Sequence, residues 1–379
     1  MKIISKLLLS SIFIIIMFIA YLSIFGVETE RFNDKIINKV KSFDKNLDIQ
    51  LKTIKIVLDP LSFGINAKTI GSKLINKNNL IELESLKTKI SLKALIDNRF
   101  SIENLEVSTK SIDLNDFISF ARSIDRSPEL YILDKIIKKG FLIADLKLEF
   151  DRQGKIKDNY KINGFIKDGK LSFNNKYNID KLNFIFDLKK NELVFKDTNF
   201  QLDNLDFYSN SLFVKKIEKK FFVKGEIDHQ KFDLDSLQLD LFKSFFGNLE
   251  VKELIFSSKN VFSFYLSKRF KLNNLEIDSK IDLTKLSILN DLPLKDFFPK
   301  IKDKIYLSKN NLEIKYKTKK ISITGNGKIL LQDNDDDISY KLERKNNDFK
   351  LETVLRINDN PFIINLLNYE KKKDATINI

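Results

Sequence analysis

The sequence predicts a mainly β protein in which one N-terminal transmembrane helix is followed by an elongated, curved antiparallel sheet and a few short helices. An uncharged apolar segment, Leu7–Val27, lies near the start of the chain. After it, apolar and polar residues alternate with a period of two over most of the sequence, as in strands with one buried face. The turns between these segments are short, so neighbouring strands are expected to pair antiparallel.

The composition excludes several classes of site. The chain has no Cys and a single His, His229, which removes thiolate metal sites and most histidine-based catalysis. With 43% hydrophobic residues and 33 Phe, disorder is not expected. The net charge of +14 indicates either attraction to anionic head groups or nucleic acid, or a lysine-rich composition on solvated faces. Lysines and acidic residues are interspersed, which favours solvated faces.

The segment Leu7–Val27 is interpreted as an uncleaved membrane anchor. As a helix it would be roughly 31 Å long, which matches the hydrocarbon core of a bilayer. Lys2 and Lys6 precede it, and Glu28 and Glu30 follow it, so the N-terminus is expected in the cytoplasm and the rest on the far side. A cleaved signal peptide is the alternative, but the small residues of a cleavage site do not follow the segment.

Helices are predicted where start and stop signals flank helical spacing. Arg31–Phe43 places its apolar residues on one side of a helix. In Leu114–Lys139, Asp113 can cap one helix and Pro128 can begin a second that ends at Gly140. This helix pair is a candidate boundary or lid. Shorter helices are expected at Leu234–Phe246 and before Pro293.

Strand signals are strongest between residues 141 and 228. Lys167–Lys170 is predicted as a hairpin turn because it contains Asp-Gly, and Lys189–Asn191 as a tight turn. A strand is predicted at Phe362–Leu367, and the last residues, 374–379, are predicted as another strand. Either this final strand docks at a sheet edge, or the protein was once longer, or the chain is a fragment. The chain is accordingly divided into a cytoplasmic tail (1–6), the anchor (7–27), an N-terminal β-region with helices (28–139) and a continuing antiparallel region (140–379).

The apolar face of such a sheet must be covered. About 16 strands at roughly 4.8 Å each would extend about 75 Å, which is more than the few predicted helices can cover. The sheet is therefore expected either to close on itself as a packed sandwich or to curl into a trough with an apolar groove. A trough would be filled by a ligand with apolar chains, and a lipid fits because the anchor holds the protein where lipids are. The candidate groove-lining residues are Leu146, Leu148, Phe150, Phe184, Phe186 and Leu188.

Other chemistry is not expected. Asp333–Asp337 is acidic enough to suggest calcium but lacks the spacing of an EF-hand loop, so a solvated turn is predicted. His229 is expected on the surface near a turn. The mixed Phe and Lys residues of Lys219–Lys224 could suit single-stranded nucleic acid, but strand alternation explains them. The sequence has no phosphate-binding loop, dinucleotide fingerprint or nucleophile elbow, so no enzyme activity, cofactor or metal is predicted.

The N-terminal order of elements resembles a known family. The anchor leads into GVETERFNDKIINKV and then into the strands LDIQLKTIKIVLDPLSFGINAKTI. ELESLKTKISLKALIDNRFSIENLEVSTKSIDLNDF follows, with a strand, a short helical turn and another strand. In this pattern the chain resembles the AsmA-like family of bacterial envelope proteins, which are relatives of TamB and of bridge-like lipid-transfer proteins. The resemblance is best over residues 1–120 and covers most of the chain loosely.

The resemblance implies a single-pass protein of the inner membrane whose bulk lies in the periplasm as a long apolar β-groove. It implies phospholipid transport between the inner and outer membranes, or envelope lipid homeostasis, with membrane lipids as partners and no nucleic acid. Family members that could bridge the periplasm are usually longer, so a short member is expected to shuttle lipid or hand it over rather than form a complete bridge. The alternative is a scaffold or assembly factor for outer-membrane proteins that binds through sheet edges. An anchored hydrolase is disfavoured.

Overall fold

The protein is mainly β, as predicted, with one large antiparallel sheet and few helices. Contacts group the chain into two compact units, unit 1 (residues 1–194) and unit 2 (residues 195–379). The predicted division after residue 139, which follows the helix pair Leu114–Lys139, stays a prediction from the sequence. The computed structural model describes residues 2–42, 44–96, 101–151, 153, 155–173, 177–218, 220–234, 239, 250–267, 271–290, 294–345, 348–372 and 374–379.

The helices are short apart from the first. The described residues form five α-helices and one 3₁₀-helix. Their bounds are α1 Lys2–Ile24, α2 Asn33–Lys41, α3 Leu92–Ile96, α4 Leu114–Ile124, α5 Pro128–Ile136 and the 3₁₀-helix Asn365–Leu367.

Helix α1 is long and apolar enough to cross a membrane over Lys6–Ile24. It ends three residues earlier than the sequence predicts. Gly26 adopts a left-handed conformation with φ of 67°, and Val27 begins the first strand. The apolar residues after Ile24 therefore leave the helix because a glycine turn redirects the chain into the sheet.

Unit 1 contains a ladder in which each strand pairs antiparallel with its neighbours. The ladder runs β1–β3–β4–β6–β7–β9–β10–β11, with β2–β5 alongside the first part of β6 and β8 alongside β9. The strands are β1 Val27–Thr29, β2 Leu47–Gln50, β3 Ile54–Asp59, β4 Gly64–Ile70, β5 Lys73–Asn76, β6 Asn79–Ser91, β7 Ile102–Thr109, β8 Ile112–Asp113, β9 Ile137–Glu149, β10 Lys161–Phe173 and β11 Tyr177–Lys189.

Two helices cover the apolar face of the first strands in unit 1. Ile36 of α2 packs with Ile54, Ala67 and Ile90 in one buried cluster. Helix α4 begins at the predicted cap, where the Asp113 carboxylate accepts a hydrogen bond from the Asn115 backbone N–H at 2.8 Å. Its Phe120 joins a second buried cluster with Leu86 of β6. Helix α4 therefore covers the sheet.

Unit 2 is a meander in which consecutive strands pair antiparallel. The order is β13–β14–β15–β16–β17–β18–β19–β20, and β23 pairs with the end of β20. The last predicted strand thus docks at an edge. Strand β12, Glu192–Leu202, contains the boundary between the units. The remaining strands are β13 Leu205–Ile217, β14 Lys220–Asp233, β15 Val251–Ser267, β16 Leu272–Leu289, β17 Lys304–Lys317, β18 Lys320–Leu330, β19 Asp336–Lys345, β20 Asp348–Ile357, β21 Ile363–Ile364, β22 Tyr369–Glu370 and β23 Ile377–Asn378.

Four local predictions of secondary structure are wrong. The predicted hairpin turn at Lys167–Lys170 lies inside β10, where Asp168 has φ of 52° and the register shifts, so Asp-Gly forms a bulge. Helix α5 ends at Ile136 rather than at Gly140, because its last residues join β9. The predicted strand near residue 365 contains a 3₁₀-helix. The short helix predicted before Pro293 is also wrong, because strand β16 extends to Leu289. The predicted helix Leu234–Phe246 lies largely outside the described residues.

The acidic segment Asp333–Asp337 is only partly a solvated turn. Asp336 is fully buried, and its carboxylate accepts hydrogen bonds from the Asn360 side chain at 2.7 Å and the Asn358 backbone at 3.1 Å. Burial raises the pKa of Asp336 above its ordinary value, while these hydrogen bonds oppose the shift. The turn prediction fails for Asp336 because the segment after β20 folds back over it.

Candidate functional site

The predicted lining residues share one face of the sheet in unit 1. In the β-ladder Leu146 lies opposite Ile162, which lies opposite Leu188. Phe186 lies opposite Gly164 in the next row, and the rings of Phe184 and Phe186 meet edge to face at 6.3 Å between centroids. The register thus brings four of the six predicted residues together across β9 and β11.

The other two predicted residues lie at the end of β9. Leu148 lies opposite Leu105 of β7, and its side chain is half-buried. Phe150 follows the strand, forms an isolated bridge with Ile156 and is only 6% exposed. Phe150 is therefore the least accessible of the six residues to any ligand.

Helix cover extends past β7, since α4 contacts β9 and α5 contacts both β9 and β10. Val107, in the same row as Leu146, packs against the buried cluster under α4. Leu146, Phe184, Phe186 and Leu188 are half-buried, and none belongs to the four buried clusters found among the described residues. The apolar rows therefore continue from covered strands onto strands with less cover.

Unit 2 repeats this arrangement on a larger scale. One row of its sheet contains Phe262, Ile277, Tyr316 and Ile321, on four consecutive strands. We call this row and the next one the unit 2 apolar rows. The second row consists of Ile314, Ile323, Leu342 and Leu351 on β17, β18, β19 and β20.

The opposite face of unit 2 is polar. Glu313, Lys315 and Lys317 alternate with the apolar residues of β17 and are exposed. Lys317 forms an ion pair with Glu276 across the ladder, with 2.9 Å between Nζ and Oε1. On β20 the Lys350 ammonium beside Glu352 lowers the pKa of that carboxyl and keeps it charged. One face therefore favours water, and the other does not.

Only one end of the unit 2 apolar face has a packed cover among the described residues. At that end Leu254, Leu283 and Leu286 form a buried cluster with Leu205 and Leu234. Beside it Phe298 and Phe362 close over Ile329 and Ile357. The unit 2 apolar rows lie outside both clusters, and their side chains range from half-buried to Leu351 at 55% exposed.

Aromatic rings fill the space above two glycines of this face. The Phe262 ring lies over Gly225, where an added Cβ would be 3.1 Å from Cζ. The Tyr340 ring lies over Gly325 so closely that an added Cβ would clash with it. Burial raises the pKa of Tyr340. At both positions an aromatic ring on the neighbouring strand takes the space that a side chain would occupy.

His229 is buried, in contrast to the predicted surface position. It lies in β14 at 7% exposure, stacked on Phe232 at 4.4 Å and edge to face with Phe256 at 4.5 Å between centroids. Burial lowers the pKa of His229, and Nδ1 lies 2.8 Å from the Gln230 carbonyl oxygen. The ring is therefore neutral, donates from Nδ1 and acts as a member of the aromatic packing.

No metal-binding group of three or more His, Cys, Asp or Glu side chains occurs among the described residues. The unit 2 apolar rows, by contrast, could have been found from the sequence. The alternation in LEIKYK (Leu312–Lys317) is as regular as the one around Leu146. Sequence reasoning missed these rows because alternation alone does not say which part of an apolar face a helix will cover.

The chain matches no protein-family model, no curated protein and no solved structure. The AsmA-like resemblance therefore stays a prediction from the sequence.

Proposed function

We propose that this chain is an inner-membrane-anchored periplasmic protein whose apolar sheet face binds the acyl chains of membrane phospholipids. In this proposal it takes part in phospholipid transport between the inner and outer membranes, or in envelope lipid homeostasis. The observation that supports it best is the pair of unit 2 apolar rows, which lie beyond the packed clusters of the described residues. Such a face gains stability when acyl chains remove it from water.

The arrangement of charges supports the same occupant. The rows around Ile314 and Phe262 carry few polar groups, whereas ion pairs lie on the other face. A phospholipid could lie along the rows with its chains on the apolar side and its head group at the rim. The anchor α1 would hold the sheet beside a lipid source.

Photo-crosslinking in cells tests this function with matched controls. A photoreactive amino acid at Phe186 or Ile314 is expected to capture phospholipid. The controls are the sequence neighbours of these two positions. Ile185 lies next to Phe186 and Lys315 next to Ile314, each on the opposite face of the same strand, so probes there are expected to capture little. Ile185 is itself apolar and 45% exposed, which makes it a stringent control. Equal capture at both faces, or none at either, would count against the proposal.

An edge-binding scaffold remains the second candidate because of strand β20. One side of β20 pairs with β19. On its other side, the pairing among the described residues is limited to β23 at Arg356 and Ile357 and to Ile379 at Leu355. Phe349 and Leu351 are 61% and 55% exposed. An added strand from another envelope protein could pair here. Recovery of a stoichiometric partner that is lost when Leu351 is replaced by proline, without bound lipid, would favour this function.

A further inference from the structure

The turn between β3 and β4 exposes two large apolar side chains. It lies at the end of these strands, on the side of unit 1 where α1 joins the sheet. Leu61 is 98% exposed and Phe63 is 72% exposed. The short helix α3 is joined to this turn by a hydrogen bond from the Leu92 backbone N–H to the Phe63 carbonyl at 3.1 Å. At its end Ile96 is 77% exposed. Three apolar side chains therefore project from one edge.

The β-ladder register fixes the direction in which this turn points. Val27, which follows α1 closely, lies opposite Ile56, and the two strands are antiparallel. Helix α1 precedes Val27 in the chain, and the turn follows Ile56. Because the two strands are antiparallel, α1 and the turn extend from this pair in the same direction. Leu61 is five residues past Ile56, at most about 16 Å further along the strand direction. Helix α1 also contacts β3.

The last turns of α1 have the composition of a membrane–water interface. The rings of Tyr21 and Phe25 lie in a tilted contact with 5.3 Å between centroids, and the Phe25 N–H donates to the Tyr21 carbonyl at 2.9 Å. Tyrosine is enriched where a spanning helix crosses the head-group region. The turn at Leu61 extends from the Val27–Ile56 pair in the same direction as α1, towards the bilayer that would contain α1.

The backbone of Phe63 gives an independent reason to assign its side chain a role. Phe63 adopts a left-handed conformation with φ of 48°, which bulky residues rarely take. It is the one large apolar residue with positive φ among the described residues. Glycine or asparagine would adopt this conformation more readily. An exposed aromatic ring at a strained backbone position is a reason to look for a function of the ring.

The charged groups near this turn are a carboxylate with partners inside the turn and an exposed ammonium. The Asp59 carboxylate accepts hydrogen bonds from the backbone and hydroxyl of Ser62 within the turn. Lys93 of α3 is exposed at the same edge. An exposed ammonium beside apolar side chains suits an interfacial position.

From these observations we infer that Leu61, Phe63 and Ile96 form a second membrane contact, which inserts into the head-group region of the leaflet from which α1 emerges. This inference rests on the proposed anchoring by α1. The contact would hold the sheet at a fixed orientation to the bilayer, so that α1 is not a loose tether. It would thereby bring the sheet close to the surface from which lipid is taken.

Fluorescence of a single label tests the contact, because the chain has no cysteine of its own. The full chain carrying Leu61→Cys is labelled with an environment-sensitive dye and reconstituted into vesicles of phosphatidylcholine and phosphatidylglycerol. The expected result is a blue-shifted emission that lipids with a shallow nitroxide quench. Ile70→Cys is the control, since Ile70 is 61% exposed at the other end of β4, about 20 Å away. The label there should stay in water.

The outcomes separate this contact from the anchor. If the chain floats with the vesicles but the label at Leu61 behaves like the label at Ile70, the contact is overturned and the anchor stands. If the chain does not float with the vesicles, both are overturned. Phe63→Asn keeps the left-handed turn and removes the ring, so it should weaken quenching at Leu61 without loss of folding. Unchanged quenching in this variant would contradict the role of Phe63.

Discussion

At the residue scale, the buried histidine is the feature with the sharpest physical consequence. His229 lies among Phe207, Phe232 and Phe256, and burial lowers its pKa. Because the folded protein disfavours the charged ring, the unfolded chain binds the proton more readily. The stability that the neutral His229 ring contributes is fully present above its ordinary pKa and is lost as the pH falls below that value. The neighbouring Asp228 carboxylate opposes this shift in part.

The single histidine makes this prediction directly measurable. With histidine-specific isotopic labelling, one imidazole resonance reports the titration. Its midpoint is expected below the ordinary value of 6.5. The variant His229→Phe should lose less stability than the natural chain when the pH falls from 7 to about 5. A midpoint at 6.5 would show that His229 is solvated, and a midpoint above 6.5 would show that it is paired with an acid.

The glycine beneath Tyr340 gives a second prediction at this scale. Gly325→Ala would place a methyl group inside the space of the Tyr340 ring. We expect it to lower the free energy of unfolding by about 1–3 kcal/mol, as overpacking does. Adding Tyr340→Ala should relieve the clash, so the double variant should show favourable coupling in urea unfolding. Additive losses would mean that the ring does not occupy this space.

At the element scale, the two ends of the unit 2 face should differ in their contribution to stability. Leu286 is 8% exposed in a packed cluster, whereas Ile314 on the neighbouring strand β17 is half-buried outside the clusters of the described residues. Leu286→Ala is expected to lower the free energy of unfolding by about 2–5 kcal/mol. Ile314→Ala should lower it by about 1 kcal/mol or less. Equal large losses would show that both ends are folding core.

The elements also show what a sequence can and cannot predict. Strand β17 and helix α4 follow from alternation and from the Asp113 cap, because both signals are local. The bulge at Asp168 was mistaken for a hairpin because Asp-Gly suits either, and only the pairing of Gly169 with Leu182 distinguishes them. The face shared by Leu146 and Phe186 was predictable from period two. How far helices cover that face depends on tertiary packing, which the alternation does not encode.

At the scale of the whole molecule, each unit combines a covered part and a less covered part of an apolar sheet face. The covered parts supply the packing that holds the strands, as around Leu86 in unit 1 and Leu286 in unit 2. The remaining rows expose apolar side chains that pack less closely against the rest of the protein. A lipid ligand would account for both, since a stable scaffold can present a preformed apolar surface.

Charge introduced into these rows should therefore reduce lipid content more than it reduces folding. Phe186→Lys and Ile314→Lys are expected to lower the phospholipid that copurifies with each chain, as measured by mass spectrometry. Ile185→Lys places the same charge on the opposite face and should leave the lipid content unchanged. If all three variants retain the same lipid, that lipid is bound elsewhere, for example around α1.

The most direct measurement of the central claim is the accessibility of a spin label in the unit 2 apolar rows. A nitroxide at Ile314→Cys, in the chain purified with lipid, is expected to collide with molecular oxygen but not with a water-soluble nickel chelate. A nitroxide at Lys315→Cys, on the polar face, should collide with both. A label at position 314 that neither reagent reaches would contradict the account, because the row would then be packed protein interior rather than a lipid-binding face.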